Sequence, residues 1–109
     1  MSEMPKLRGP YELLDLGDGE SLAFVPVSWE RGTMEINPAS GAKTIGAVRI
    51  HLAEGAKTAP PNYYDITSKT LIAQLEPLLM LPDYDRYTYT VTKHGVAPKA
   101  RFTLERAPL

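Results

Sequence analysis

The longest regular alternation of apolar and polar positions lies in residues 83–106, DYDRYTYTVTKHGVAPKARFTLER. It predicts two strands, 84–93 and 99–106, joined by a connection containing Gly and Pro. On the first, Tyr87, Tyr89 and Val91 share a face and Thr88, Thr90 and Thr92 form the other. Val91 marks the first face as the core side, so both tyrosines are expected in the core or at its rim. On the second strand Phe102 and Leu104 oppose Arg101 and Thr103, which leaves Arg101 for solvent.

Upstream the same period recurs. YELLDL at 11–16 predicts a first strand and ESLAFVPVSW at 20–29 a second, with the Gly17-Asp18-Gly19 reversal between them. Pro26 lacks an N–H, so it belongs at an edge or a bulge. Residues 31–44 mix turn formers with a short Met34-Glu35-Ile36 piece, read as a hairpin extension or a mobile loop. A third strand is predicted at 45–52, with Val48, Ile50 and Leu52 on a dry face and Ala47, Arg49 and His51 on a wet one. Pro60 and Pro61 then break the pattern. Thr67 or Ser68 caps a helix whose stripe is Leu71, Ile72, Leu75, Leu78 and Leu79, with Pro77 expected to end or kink it near Glu76. Residues 1–10 read as a loose N-terminal arm and 107–109 as a tail.

The order β-β-β-α-β-β within 109 residues predicts one mainly-β domain with one helix, a five-stranded OB-like Greek-key barrel. The alternative is an open α+β sheet with one packed helix. Ten prolines argue against a helical bundle, and the absence of cysteine excludes disulfides and thiolate zinc sites. With only His51 and His94, and with Asp65, Asp83 and Asp85 read as capping and solvation, no metal and no cofactor are expected. No apolar run has signal-peptide or membrane-spanning length, so a soluble, cytoplasmic protein with no membrane partner is expected.

The formal charge of -1 conceals an asymmetry. Between residues 86 and 106 lie Arg86, Lys93, Lys99, Arg101 and Arg106 against Glu105 alone. Cations that track phosphate, placed near aromatic faces that stack on bases, are what a groove for a single strand requires. The candidate nucleic-acid-binding residues are Trp29 and Tyr63 for stacking and Arg49, Lys93, Lys99 and Arg101 for phosphate. No nucleophile elbow, phosphate-cradling glycine signature or convergent acid–base set is visible, so no enzyme is expected. The expected role is sequence-tolerant binding of single-stranded DNA or RNA; the alternative is a protein-interaction or homodimeric assembly module.

Two segments, LLDLGDGESLAFVPV at 13–27 and LIAQLEPLL with YTYTVTKHGVAPKARFTL toward the end, resemble bacteriophage-type single-stranded-DNA-binding proteins with an OB fold. Lys93, Gly95, Arg101 and Phe102 match the basic residue, glycine turn and Arg-aromatic strand of that pattern. The chain departs from it in two places. The glycine-rich turn is here His94-Gly95-Val96-Ala97-Pro98, and residues 31–44 align with no part of it. The resemblance implies DNA as the strand bound, in replication or recombination.

Overall fold

A computed structural model describes residues 5–36, 41, 43–96 and 99–109. Its elements are β1 (Ser21–Phe24), β2 (Pro26–Ile36), β3 (Lys43–Leu52), β4 (Tyr63–Ile66), α1 (Lys69–Leu79), a 3-10 turn (Tyr84–Arg86), β5 (Tyr87–His94) and β6 (Arg101–Pro108). They form two three-stranded antiparallel sheets, β1-β5-β6 and β2-β3-β4. No barrel is closed among the described residues, so the open arrangement with one packed helix describes the fold better than a closed five-stranded barrel.

One strand serves both sheets. The expected strand at 20–29 is divided at Val25: β1 pairs with β5, and β2 leaves for β3 with a register shift between Pro26 and Ser28. Proline supplies no ladder donor, so the bulge falls where the pairing must change partner. The β2–β3 ladder then runs to Ile36 opposite Lys43, a hairpin extension; 37–40 and 42 lie outside the described residues.

Helix α1 closes the space between the sheets. Ser68 Oγ accepts from the Leu71 N–H as the cap. Leu71, Ile72, Leu75 and Leu79 are buried with Val48, Ile50, Ile66, Tyr89 and Val91. Each such apolar side chain stabilises the fold by about 1.5–3 kcal/mol. The helix continues through Pro77 to Leu79, past the expected break near Glu76. Pro77 and Ala73, whose carbonyl would have received the missing N–H, are both exposed, so the lost bond lies on the solvent side.

Five further expectations are corrected. Tyr63–Ile66, between the proline break and the helix cap and expected to form no strand, is β4. Tyr84–Arg86, placed in a strand, is a 3-10 turn. Residues 11–16 form no strand: Leu13 makes one parallel bridge, with the Leu14 N–H on Asp65 O and the Asp65 N–H on Glu12 O. A four-residue β4 offers little more to pair with. The arm is also not loose where it is described. The Leu7 N–H donates to Thr33 O and the Thr33 N–H to Pro5 O on the free edge of β2. Residues 5–14 therefore cross the outer face of β2-β3-β4 from one edge to the other, with Leu7 buried on Met34 and Ala47. The face of β3 assigned to water is consequently dry at two of its three positions: Ala47 and Arg49 are buried, whereas His51 is half-buried.

Gly32 permits this crossing. A Cβ there would stand 2.5 Å from Pro5 O and 2.9 Å from Leu7 Cδ2. Gly32→Ala is expected to lift residues 5–7 from β2 while both sheets persist. The check is amide hydrogen exchange, which should accelerate at Leu7 and Thr33 but not at Val91 or Leu104.

Tyr89 and Tyr87 are settled as core and rim. Tyr89 is fully buried, stacked on Phe24 at 5.8 Å, and donates its hydroxyl to Tyr84 O at 2.8 Å. Burial raises its pKa above the ordinary 10.0. The folded state thus holds this proton more tightly than the unfolded chain, a contribution fully present below pH 10.0 and lost as pH climbs through the raised value. Alkaline titration should show one tyrosine ionising late, together with unfolding, and Tyr89→Phe should abolish that late component.

Candidate nucleic-acid interface

The β5–β6 hairpin end is assembled from two turns. Gly95, at φ 87°, ends β5, and its N–H donates to Asp18 Oδ1 at 2.7 Å. Gly19, at φ 81°, donates its N–H to Lys93 O, and the Lys93 N–H donates to Glu20 O. Both glycines occupy the left-handed region that other residues enter only with strain. The acidic 17–20 turn is thereby fastened to the hairpin, with Asp18 beside the basic residues it carries. Ala97 and Pro98 lie outside the described residues.

The register decides where the cations of this hairpin point. Lys93 opposes Phe102 and His94 opposes Arg101. Partners across an antiparallel ladder share a face and neighbours alternate, so Lys93 and Arg101 belong to opposite faces. Lys93 and Arg101, both expected to meet phosphate, therefore do not share one surface of the sheet. Lys93 is half-buried on the side of Val91, whereas Arg101 is exposed. Lys99, in the connection, is also exposed, so the two exposed cations gather at the hairpin tip. A shallow hollow of about 490 Å³ lies there between His94, Arg101, Phe102 and Thr103. Arg106 turns the other way: its guanidinium covers the Tyr87 ring at 4.0 Å.

Three other candidates are elsewhere. Arg49, expected to meet phosphate, is 6% exposed and holds Asp65 with two bonds, Nε to Oδ1 at 2.7 Å and Nη2 to Oδ2 at 3.1 Å. The Glu12 N–H also donates to Asp65 Oδ2, at 2.9 Å. The hydrogen bond to Asp65 raises the Arg49 pKa from an already high value, so this guanidinium stays charged at every pH the fold survives. Its other contact is the Tyr63 ring, 4.0 Å away. Tyr63 is half-buried and gives its hydroxyl to Pro10 O, so one ring face and its polar tip are already engaged. Trp29 pairs with Ile50 on the inner face of the same sheet and packs against the core. Arg49 and Tyr63 are brought together, but beneath the arm; Trp29 is on the opposite side, and neither ring joins the hairpin tip.

Among the described residues the remaining ion pairs are Lys6–Glu35 at 3.0 Å, Arg31–Glu76 at 3.4 Å and Lys57–Glu12 at 2.5 Å, and His51 Nε2 lies 2.6 Å from Glu30 Oε2. Lys93, Lys99 and Arg101 join none of them. Asp65 is filled by Arg49 and Glu12, and Asp83 accepts from the Tyr87 hydroxyl at 3.3 Å, so the three aspartates form no common cluster. No group of three or more potential metal-ligating side chains occurs among the described residues, and no helix is long and apolar enough to cross a membrane.

A second basic feature went unread in the sequence. Between α1 and the β2–β3 hairpin runs a groove of about 580 Å³ bordered by Arg31, Lys43, Lys69 and Glu76. These residues lie far apart in sequence and belong to three elements, so no local spacing marked them. Comparison with protein-family models, with curated proteins and with solved structures gives no match to this chain.

Proposed function

We propose that the protein binds single-stranded nucleic acid, DNA in the first instance, without catalysis and with little base preference, at the tip of the β5–β6 hairpin. The observation that carries this reading is the division of the cations. Arg31, Arg49, Lys6 and Lys57 each face a carboxylate within the fold; of the cations that do not, Lys99 and Arg101 are the two that stand exposed together at one hairpin tip, beside the half-buried Phe102. Exposed cations without internal partners are the ones that can displace counterions from phosphate.

The chain path supports the same reading. Taking β1 and β2 as one bent strand, the strands follow the order of an OB barrel, with the seam between β4 and β6 left unpaired. In that plan the connection corresponding to β5–β6 is one of the two loops that contact oligonucleotides. The arm covers the sheet face that usually shares this task, which puts more weight on the hairpin tip.

The test is a salt-titrated anisotropy comparison of labelled single-stranded DNA, single-stranded RNA and duplex. Single strands should bind best at low salt, with log affinity falling linearly in log salt. Equal or better binding of duplex would remove the reading.

A second reading is pairing of two copies along β6. The ladder geometry turns the N–H and C=O groups of Leu104 and Arg106 outward, and they have no backbone partner among the described residues. Glu105, Arg106 and Pro108 blunt this edge against such pairing. A single monomeric mass across a wide concentration range in sedimentation would eliminate it.

A further inference from the structure

We propose that the groove between α1 and the β2–β3 hairpin is a phosphate-binding site, separate from the hairpin tip and independent of the reading above. Arg31 is its fixed element. Its Nη1 donates to Gly32 O at 3.2 Å and to Ala47 O at 3.0 Å, and its Nε lies 3.4 Å from Glu76 Oε2. Three contacts hold the guanidinium plane in place, and Nη2 donates no hydrogen bond among the described residues. The side chain is only 29% exposed, so this free donor is pre-positioned at the groove wall rather than sampling solvent.

Gly46 makes the position available. A Cβ there would meet Arg31 Nη1 at 2.9 Å and Nη2 at 3.1 Å, so any larger residue would push the guanidinium out of its seat. Lys43 and Lys69, both exposed and unpaired among the described residues, border the same groove from β3 and α1. Thr44 and Thr67 add hydroxyl donors to the lining. Three cations against Glu76 leave a local charge of +2. One fixed guanidinium nitrogen, Nη2, flanked by two exposed ammonium groups brings three separate donors to one groove, which suits a tetrahedral dianion or a phosphodiester better than a single carboxylate.

Gln74 separates this site from the hairpin tip. Its Nε2 donates to Phe102 O at 3.0 Å, so the face of α1 toward β6 is closed while Lys69, Ala73 and Glu76 border the groove. The phosphate can belong to a nucleic-acid backbone or to a free nucleotide; both present the same group.

The experiment is amide NMR titration of the whole protein with inorganic phosphate, with thymidine monophosphate and with a thymidine oligonucleotide, at fixed ionic strength. Phosphate is expected to shift the amides of Thr44, Gly46, Thr67 and Lys69. Lys69→Gln and Lys43→Gln, surface changes that leave the core intact, should each weaken binding about tenfold. Glu76→Gln should tighten it, because it removes the acid that competes for Arg31. Groove shifts with the monophosphate but not with the oligonucleotide identify a nucleotide site, and shifts with both identify a backbone contact. Absence of groove shifts with all three overturns the inference even if the oligonucleotide binds at residues 93–101. Groove shifts with phosphate and no oligonucleotide binding anywhere leave it standing and remove the proposed function.

Discussion

Asp65→Ala is expected to lower stability by about 3–5 kcal/mol, a large part of the roughly 5–15 kcal/mol available to a domain of this size. The carboxylate takes two bonds from Arg49 and one from the Glu12 N–H, with no exposure of its side chain. Removing it leaves a guanidinium in a site where only 7% of that side chain reaches solvent. It also orphans the N–H that holds the arm at β4. The penalty is that of an unpaired buried charge, not the net worth of the pair. Arg49→Met together with Asp65→Leu should therefore recover most of the loss. Urea denaturation of both variants decides the point, and a loss below about 1 kcal/mol in Asp65→Ala would contradict the description of the pair as buried and isolated.

Lys99→Glu combined with Arg101→Glu is expected to lower affinity for a single strand by about two orders of magnitude at low salt, and neutral substitutions to reduce the salt slope by about 0.7 per cation removed. Both side chains are exposed, so folding stability should change by less than about 0.5 kcal/mol. Asp18→Asn should act in the opposite direction. The amide oxygen can still accept from the Gly95 N–H, while the acid beside the basic tip is gone. Opposite signs from neighbouring substitutions distinguish an electrostatic interface from a loss of structure. Unchanged affinity in the double charge reversal would place binding, if any, elsewhere on the molecule.

The terminal hairpin and β3 were legible because their alternation persists over many residues and because one face of each is continuously apolar. The α1 stripe was legible for the same reason, together with a hydroxyl cap at Ser68. What escaped the sequence depended on partners distant in the chain. YYDI reads as readily toward a helix as a strand, and only pairing of Arg49 with Asp65 and Ile50 with Tyr64 makes it β4. Arg49 looked solvated because nothing local announces that residues 5–14 return to cover it. Ion pairing between residues 16 apart is set by strand register, not by spacing along one element. The parity of the hairpin was the subtlest omission. Lys93 and Arg101 sit on opposite faces because Lys93 pairs with Phe102 and not with Arg101, and the connection between them fixes that pairing.

Mapping where a single strand touches the protein tests the proposed role most directly. With a thymidine oligonucleotide added at low salt, amide shifts should concentrate at Lys93, His94, Gly95, Lys99, Arg101 and Phe102, and should reverse on raising the salt. Amides that remain still throughout the titration, or shifts confined to Arg49, His51 and Tyr63 under the arm, would contradict it.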